Sequence, residues 1–279
     1  MNERQARIER EVMTVRMEET MDPLPKERIT LGVSSIMGTR KSQQDSVSTL
    51  NAHDMTLAVV CDGMGGMEGG ELASQLAIRI LSQDFVANTQ GDIPGFYQQA
   101  AEHMDEAVYG LVRETGEPMQ AGTTVVSTII QGRQLYWLSV GDSRIYILRD
   151  GEFIQVNRDH NYRMRLDEQL EQGLITDEEY LEKMGQGEAL ISYIGMGNVS
   201  LMDINPMPFL LEDGDVILLC SDGLYKRLLD EEIQEIIEQA LPDVDEAATD
   251  LTRIVMEKTI GSQDNTSVIL IQYNQYLHN

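Results

Sequence analysis

Cysteine is nearly absent from this chain, with two in 279 residues, Cys61 and Cys220. Each lies at or near the end of an apolar run, so no disulfide framework is expected and both thiols should be buried and reduced. Basic residues are also scarce: 21 Lys and Arg stand against 47 Asp and Glu, a formal charge of -26. Nucleic acid and anionic lipid surfaces bind through clustered cationic groups, so neither is an expected partner. No apolar run approaches the ~18 residues of a membrane span, and no N-terminal apolar core suggests a signal peptide. The expected location is the cytoplasm. The four histidines (His53, His103, His160 and His278) form no H-x-x-x-H or similar ligand pair. A Walker A ending, Gly-Lys-Ser/Thr, is missing, and so is a D-x-D-x-D-G calcium loop. The glycine run from Gly63 misses the G-x-G-x-x-G pattern because Glu68 stands where its third glycine belongs.

What the chain has is an ordinary globular composition, 42% hydrophobic and 24% charged, and enough length for a sizeable core. One stretch organises it, Thr56 to Ser74. Leu57 to Cys61 reads as a buried strand that ends in Asp62-Gly63, and four more glycines precede a helical pattern that opens near Gly70. Strands are predicted at Ile29 to Ile36, Val47 to Leu50, Thr123 to Ile130, Gln134 to Val140, Arg144 to Arg149 and Phe153 to Val156. Others are expected at Val199 to Ile204, Asp215 to Cys220 and Thr266 to Tyr273. Helices are predicted over Gly70 to Val86, Pro94 to Thr115, Asp230 to Ala240 and Asp245 to Lys258, from apolar residues at helical spacing. Asp150-Gly151 reads as a hairpin turn. The acidic stretch Asn161 to Gly187 should be an insertion with two short helices, with Thr176 and Glu179 as a capping box. Residues 1–28 read as a polar arm, and 29–279 as one domain. Runs of antiparallel-type strands separated by helix pairs predict an α+β layered sandwich.

Aspartates recur where apolar strands end or begin: Asp62, Asp142 in VGDSR, Asp222 in CSDGL and Asp264 in DNTSV. Asp45, in an early polar loop, joins them as a candidate. Antiparallel strands can bring distant ends to one edge, and an all-oxygen ligand set favours Mg²⁺, Mn²⁺ or Ca²⁺ over Zn²⁺.

Read together and in order, these motifs resemble the protein phosphatase 2C family in its compact bacterial form. The likeness runs from about Gly32 to Tyr273, through Arg40 with Gln44-Asp45, VVCDGMGGMEGGELAS, AGTTVV, VGDSRIYILRDG, Asp159-His160, CSDGL and DNTSV. It implies a four-layer αββα sandwich with two central antiparallel sheets and a binuclear Mn²⁺ or Mg²⁺ centre. In that likeness Asp62 bridges the cations, the Gly63 carbonyl binds one, and Asp222 and Asp264 complete the second. Asp142 with Asp222 matches a third, weaker position. Arg40 holds substrate phosphate, Asp45 orients metal-bound water, and Asp159 and His160 are structural.

The implied activity is hydrolysis of phosphoserine and phosphothreonine in proteins by metal-activated water, with a cognate bacterial Ser/Thr kinase as the opposing partner. The alternative is a catalytically silent phosphoprotein-binding module of the same fold. Two departures stand out: Gln44 where many relatives have Glu, and Met64 where many eukaryotic ones have His. The insertion at 161–187 corresponds to the family's flap.

Overall fold

The computed structural model describes residues 29–88 and 91–275, so the polar arm lies outside the described residues. Among the described residues, twelve strands make two antiparallel sheets. One has the order β1 (Ile29–Ile36), β12 (Thr266–Tyr273), β11 (Val216–Cys220), β7 (Arg144–Arg149), β8 (Glu152–Gln155). The other runs β10 (Phe209–Leu210), β6 (Gln134–Val140), β5 (Val125–Gln131), β3 (Met55–Met64), β2 (Asp45–Ala52). Two short strands extend it, β4 (Gly122–Thr123) on β3 and β9 (Asp203–Ile204) on β6.

Helices cover the outer faces. Helices α1 (Gly66–Asn88) and α2 (Ile93–Tyr109) pack on the β3 sheet, while α6 (Asp230–Ala240) and α7 (Val244–Lys258) pack on the β12 sheet. The flap carries α3 (Tyr162–Glu171) and α4 (Asp177–Lys183), followed by a 3₁₀ turn, Met184–Gln186. A single turn, α5 (Asp222–Tyr225), follows β11.

Three apolar clusters fill the three gaps between layers, which is the expected αββα sandwich. Side chains alternate along a strand. In β3, Leu57, Val59 and Cys61 therefore face the helices, while Ala58 and Val60 meet the other sheet. In β12, Val268 and Leu270 point to α7, and Ile269 and Ile271 point between the sheets. Burial on both faces is why these strands read as unbroken apolar runs. Leu57 and Leu270 are fully buried, and cutting either to alanine would cost ~2–5 kcal/mol.

Several boundaries differ from the sequence reading. Strand β3 does not stop at Cys61; it continues through Asp62 and Gly63 to Met64, because β4 pairs with its end. Helix α1 begins within the glycine run, and β2 extends to Asp45. Helix α2 ends at Tyr109, six residues before Thr115, since Gly110 caps it and the chain then turns at Gly116 (φ 83°). The strand expected over Val199 to Ile204 shrinks to Asp203–Ile204, and β10 and α5 were not foreseen. The turn at Asp150-Gly151 has both residues at positive φ (51° and 75°), as a tight hairpin requires. The Thr176 box is present in both directions: Glu179 N–H donates to Thr176 Oγ1 (3.2 Å), and Thr176 N–H to Glu179 Oε2 (2.9 Å). Cys61 and Cys220 are free and buried.

Candidate active site

The site is built on the end of β3. Asp62 N–H donates to Thr124 Oγ1 (3.0 Å), while the Asp62 carbonyl accepts from Thr124 N–H (2.8 Å) and the Thr123 hydroxyl (2.9 Å). The AGTTVV motif therefore clamps the Asp62 main chain and leaves its carboxylate uncommitted to those bonds. Gly63 must be glycine on steric grounds. A Cβ there would lie 2.1 Å from the Gly70 carbonyl oxygen, where the first turns of α1 press on the strand.

Asp45 pairs directly with Asp62 across the β2–β3 ladder. Its carboxylate is buried; Oδ2 accepts from Ser221 Oγ (2.8 Å), and Oδ1 has no hydrogen-bond partner. Burial pushes the Asp45 carboxyl up to about 7, and the negative charges of Asp222 and Asp264 add to the shift. Burial and then Asp45, Asp222, Asp142 and Asp264 hold Asp62 well above the usual carboxylate range. Asp142, on the turn between β6 and β7, rises to about 6 through burial and the charge of Asp222, against the pull of Lys226.

Asp222 opens α5, with Ser221 as the residue before it. Gly223 allows this turn to lie against the start of β12, since a Cβ there would meet the Asn265 carbonyl oxygen at 2.1 Å. Asp222 accepts from Lys226 Nζ (2.5 Å), and Asp264 is paired with Arg40. The loop that carries Arg40 is held by Asn265. Its Nδ2 donates to the carbonyls of Met37 (2.9 Å) and Ser42 (3.1 Å), and its Oδ1 accepts from Gln44 N–H (2.8 Å).

Asp159 and His160 do structural work at the base of the flap. Asp159 takes a two-pronged pair from Arg144 (3.0 and 2.7 Å), and His160 is fully buried, its Nδ1 accepting from Gly141 N–H (3.2 Å). His103 sits on the surface beside Asp84 (2.8 Å), and His278 lies outside the described residues.

Thus Arg40, Asp45, Asp62, Gly63, Asp142, Asp222 and Asp264 all come to one end of the sheet pair. Among the described residues, no three His, Cys, Asp or Glu side chains are already drawn together as ligands of one metal ion. Two of the carboxylates are instead turned to basic side chains, Arg40 and Lys226. The donor chemistry nonetheless fits hard divalent cations: only oxygens are offered, one buried carboxylate oxygen of Asp45 has no partner, and burial, with the neighbouring aspartates adding to it, raises the carboxyls. The sequence reading did not single out Ser221, Thr124, Asn265 or Lys226. Ser221 and Asn265 stand next to Asp222 and Asp264 inside the quoted motifs, Thr124 lies in AGTTVV, which carries no aspartate, and Lys226 follows Asp222 by one helical turn.

The chain resembles known proteins in both sequence and fold. The profile of the family described as Protein phosphatase 2C matches residues 35–259. The protein phosphatase PhpP of Streptococcus pneumoniae (serotype 2, strain D39) is 30% identical over 85% of this chain and 94% of its own length. The serine/threonine phosphatase structure from S. agalactiae superposes with a TM-score of 0.75 at 28% identity, over 88% of this chain and 100% of that one. The catalytic domain of the serine/threonine protein phosphatase PstP, solved with two manganese ions, has a TM-score of 0.70 at 29% identity, over 88% and 99%. The αββα sandwich is the fold of solved bacterial serine/threonine phosphatases. This chain belongs to the protein phosphatase 2C family.

Proposed function

We propose that this protein phosphatase removes phosphate from phosphoserine and phosphothreonine in proteins, at two Mn²⁺ or Mg²⁺ ions held by Asp62, the Gly63 carbonyl, Asp222 and Asp264. The observation that carries the reading is the gathering of Asp62, Asp222 and Asp264, from three distant motifs, around the buried Asp45 with its unpartnered oxygen. Bound there, divalent cations supply charge stabilisation and activate water for attack on phosphorus. A phosphomonoester should be repelled by a chain of charge -26, and the cations with Arg40 reverse that field locally.

The chain's own residues supply the rest. Arg40 grips phosphate oxygens through its planar guanidinium. Asp45, at the back of the site, accepts a hydrogen bond at one oxygen and is available to orient water with the other. The 29–279 unit serves as the catalytic domain, with 161–187 as its flap. It acts in the cytoplasm on phosphoproteins, opposite a bacterial Ser/Thr kinase. The test is phosphate release from a phosphothreonine peptide with Mn²⁺, with Mg²⁺ and with EDTA. Release with either metal and none with EDTA is expected; no release under any condition overturns the reading.

A further inference from the structure

Lys226 stands among three carboxylates at the mouth of the site. Its Nζ lies 2.5 Å from Asp222 Oδ2, 3.7 Å from Asp142 Oδ2 and 3.9 Å from Glu188 Oε2, just past the flap. The segment that carries it is fixed relative to Asp142. Neighbouring Tyr225 donates its hydroxyl to the Asp142 carbonyl (2.9 Å), and the Arg144 guanidinium lies 3.6 Å above the centre of its ring. Arg144 is itself held by Asp159. The Lys226 N–H also closes the turn on the Asp222 carbonyl (3.0 Å). Of the other basic groups nearby, Arg163 is engaged by Glu188.

Asp142 and Asp222 are the pair that the family likeness gives to a third, weaker divalent ion. In this chain that ion does not fit: an ammonium already reaches both carboxylates, and a cation entering between them would meet its charge at contact distance. We propose that Lys226 is a built-in cation for the Asp142–Asp222 pair, standing in this chain where a third metal ion would bind. A tethered charge acts at high effective concentration whatever the free metal level, so the pair stays compensated when metal is scarce. Lys226 is thereby a positioning residue for Asp222, which the proposed function makes a metal ligand; the inference rests on that reading.

The test counts Mn²⁺ bound per chain by isothermal titration calorimetry, with free ion followed by paramagnetic resonance. It uses the full chain and the Lys226→Gln, Lys226→Arg and Lys226→Gln/Asp142→Asn variants. Lys226 is 41% exposed, so these changes should leave the fold intact, as matched melting curves in EDTA would verify. Lys226→Gln should bind one Mn²⁺ more than the wild type. Lys226→Arg should gain none, and the added Asp142→Asn should remove the gain. Equal, non-zero counts in wild type and Lys226→Gln overturn the role of Lys226 alone, as does a gain that survives Asp142→Asn. No Mn²⁺ bound by any of the proteins would overturn the metal-centre reading and this inference together.

Discussion

Asp45 and Asp62 face each other across neighbouring strands, and burial raises both carboxyls in company with three further aspartates. Placing like charges together opposes folding unless a cation compensates them. Asp62→Asn should therefore melt no lower than wild type in EDTA. Added Mn²⁺ should raise the wild-type Tm and leave the variant's unchanged, because a ligand stabilises only the state that binds it. Phosphatase activity should fall roughly 10³-fold, the loss of several kcal/mol of transition-state charge stabilisation. A variant that Mn²⁺ stabilises as much as wild type would remove Asp62 from the centre.

Arg40 is exposed, and among the described residues its guanidinium is paired with Asp264. A guanidinium makes two parallel bonds to phosphate that an ammonium does not reproduce. Arg40→Ala should raise KM for a phosphothreonine peptide about tenfold, one charged hydrogen bond's worth of binding, and Arg40→Lys should recover only part of it. Steady-state kinetics at saturating Mn²⁺ would show this. An unchanged KM in both variants would mean that Arg40 serves Asp264 alone.

Asn265 is buried, and its side chain satisfies three main-chain groups of the loop between β1 and β2. Removing it leaves a donor and two acceptors without their partner. Asn265→Ala should destabilise the fold by about 2–4 kcal/mol, since each unsatisfied buried group costs ~1–3 kcal/mol and relaxation recovers some. Urea unfolding gives the stability, and kcat/KM should fall with it because the loop carries Arg40. Stability within 0.5 kcal/mol of wild type, on the order of a bland surface change, would contradict this.

Asp203 links strand β9 to the base of the flap. It accepts from Arg158 N–H (2.8 Å) and Nη2 (2.6 Å), and the Nε2 edge of the His160 ring, whose Nδ1 accepts from Gly141, lies 3.4 Å away. Burial alone would raise the Asp203 carboxyl, but His160 and Arg158 outweigh it and hold it far below the usual range. A depressed folded-state pKa contributes stability that is present above the unfolded value, ~3.9, and is lost as pH falls towards the folded one. Asp203→Asn should thus be less stable than wild type at pH 7, with the gap closing below about pH 4. Urea titrations at pH 7, 5 and 3 would measure it; a gap independent of pH would show that the charge contributes nothing.

The flap exposes Asp167, Glu168, Glu171, Asp177, Glu178, Glu179 and Glu182 against Arg163, Arg165 and a partly covered Lys183, a net acidic surface. Substrates with basic residues beside the phosphorylated one should be preferred at low salt, by several-fold in kcat/KM. The preference should fade as salt shortens the reach of exposed charges to ~8 Å at physiological strength. Matched acidic and basic phosphopeptides, compared at two ionic strengths, would decide it; equal rates at low salt rule it out.

Local rules made much of this protein legible before folding was considered. Apolar runs such as Val216 to Cys220 and Ser267 to Ile271 marked strands buried on both faces. Positive-φ turn residues at Asp150-Gly151, and the Thr176 cap, marked where elements turn or start. Aspartates at strand ends marked the chemistry by recurring: one alone is a turn residue, as Asp150 is, but antiparallel strands can bring several distant ends to one edge. The pairing order was not legible. That β1 joins β12 from the other end of the chain, and that Asp45 meets Asp62, depends on which strands adhere across long separations. Asn265 and Lys226 were invisible for the same reason: a polar side chain gains its role from the main chain and carboxylates that tertiary packing brings to it. Propensity and periodicity act over one turn or one strand, whereas compensation of buried charge is settled only when distant segments share the same low-dielectric space.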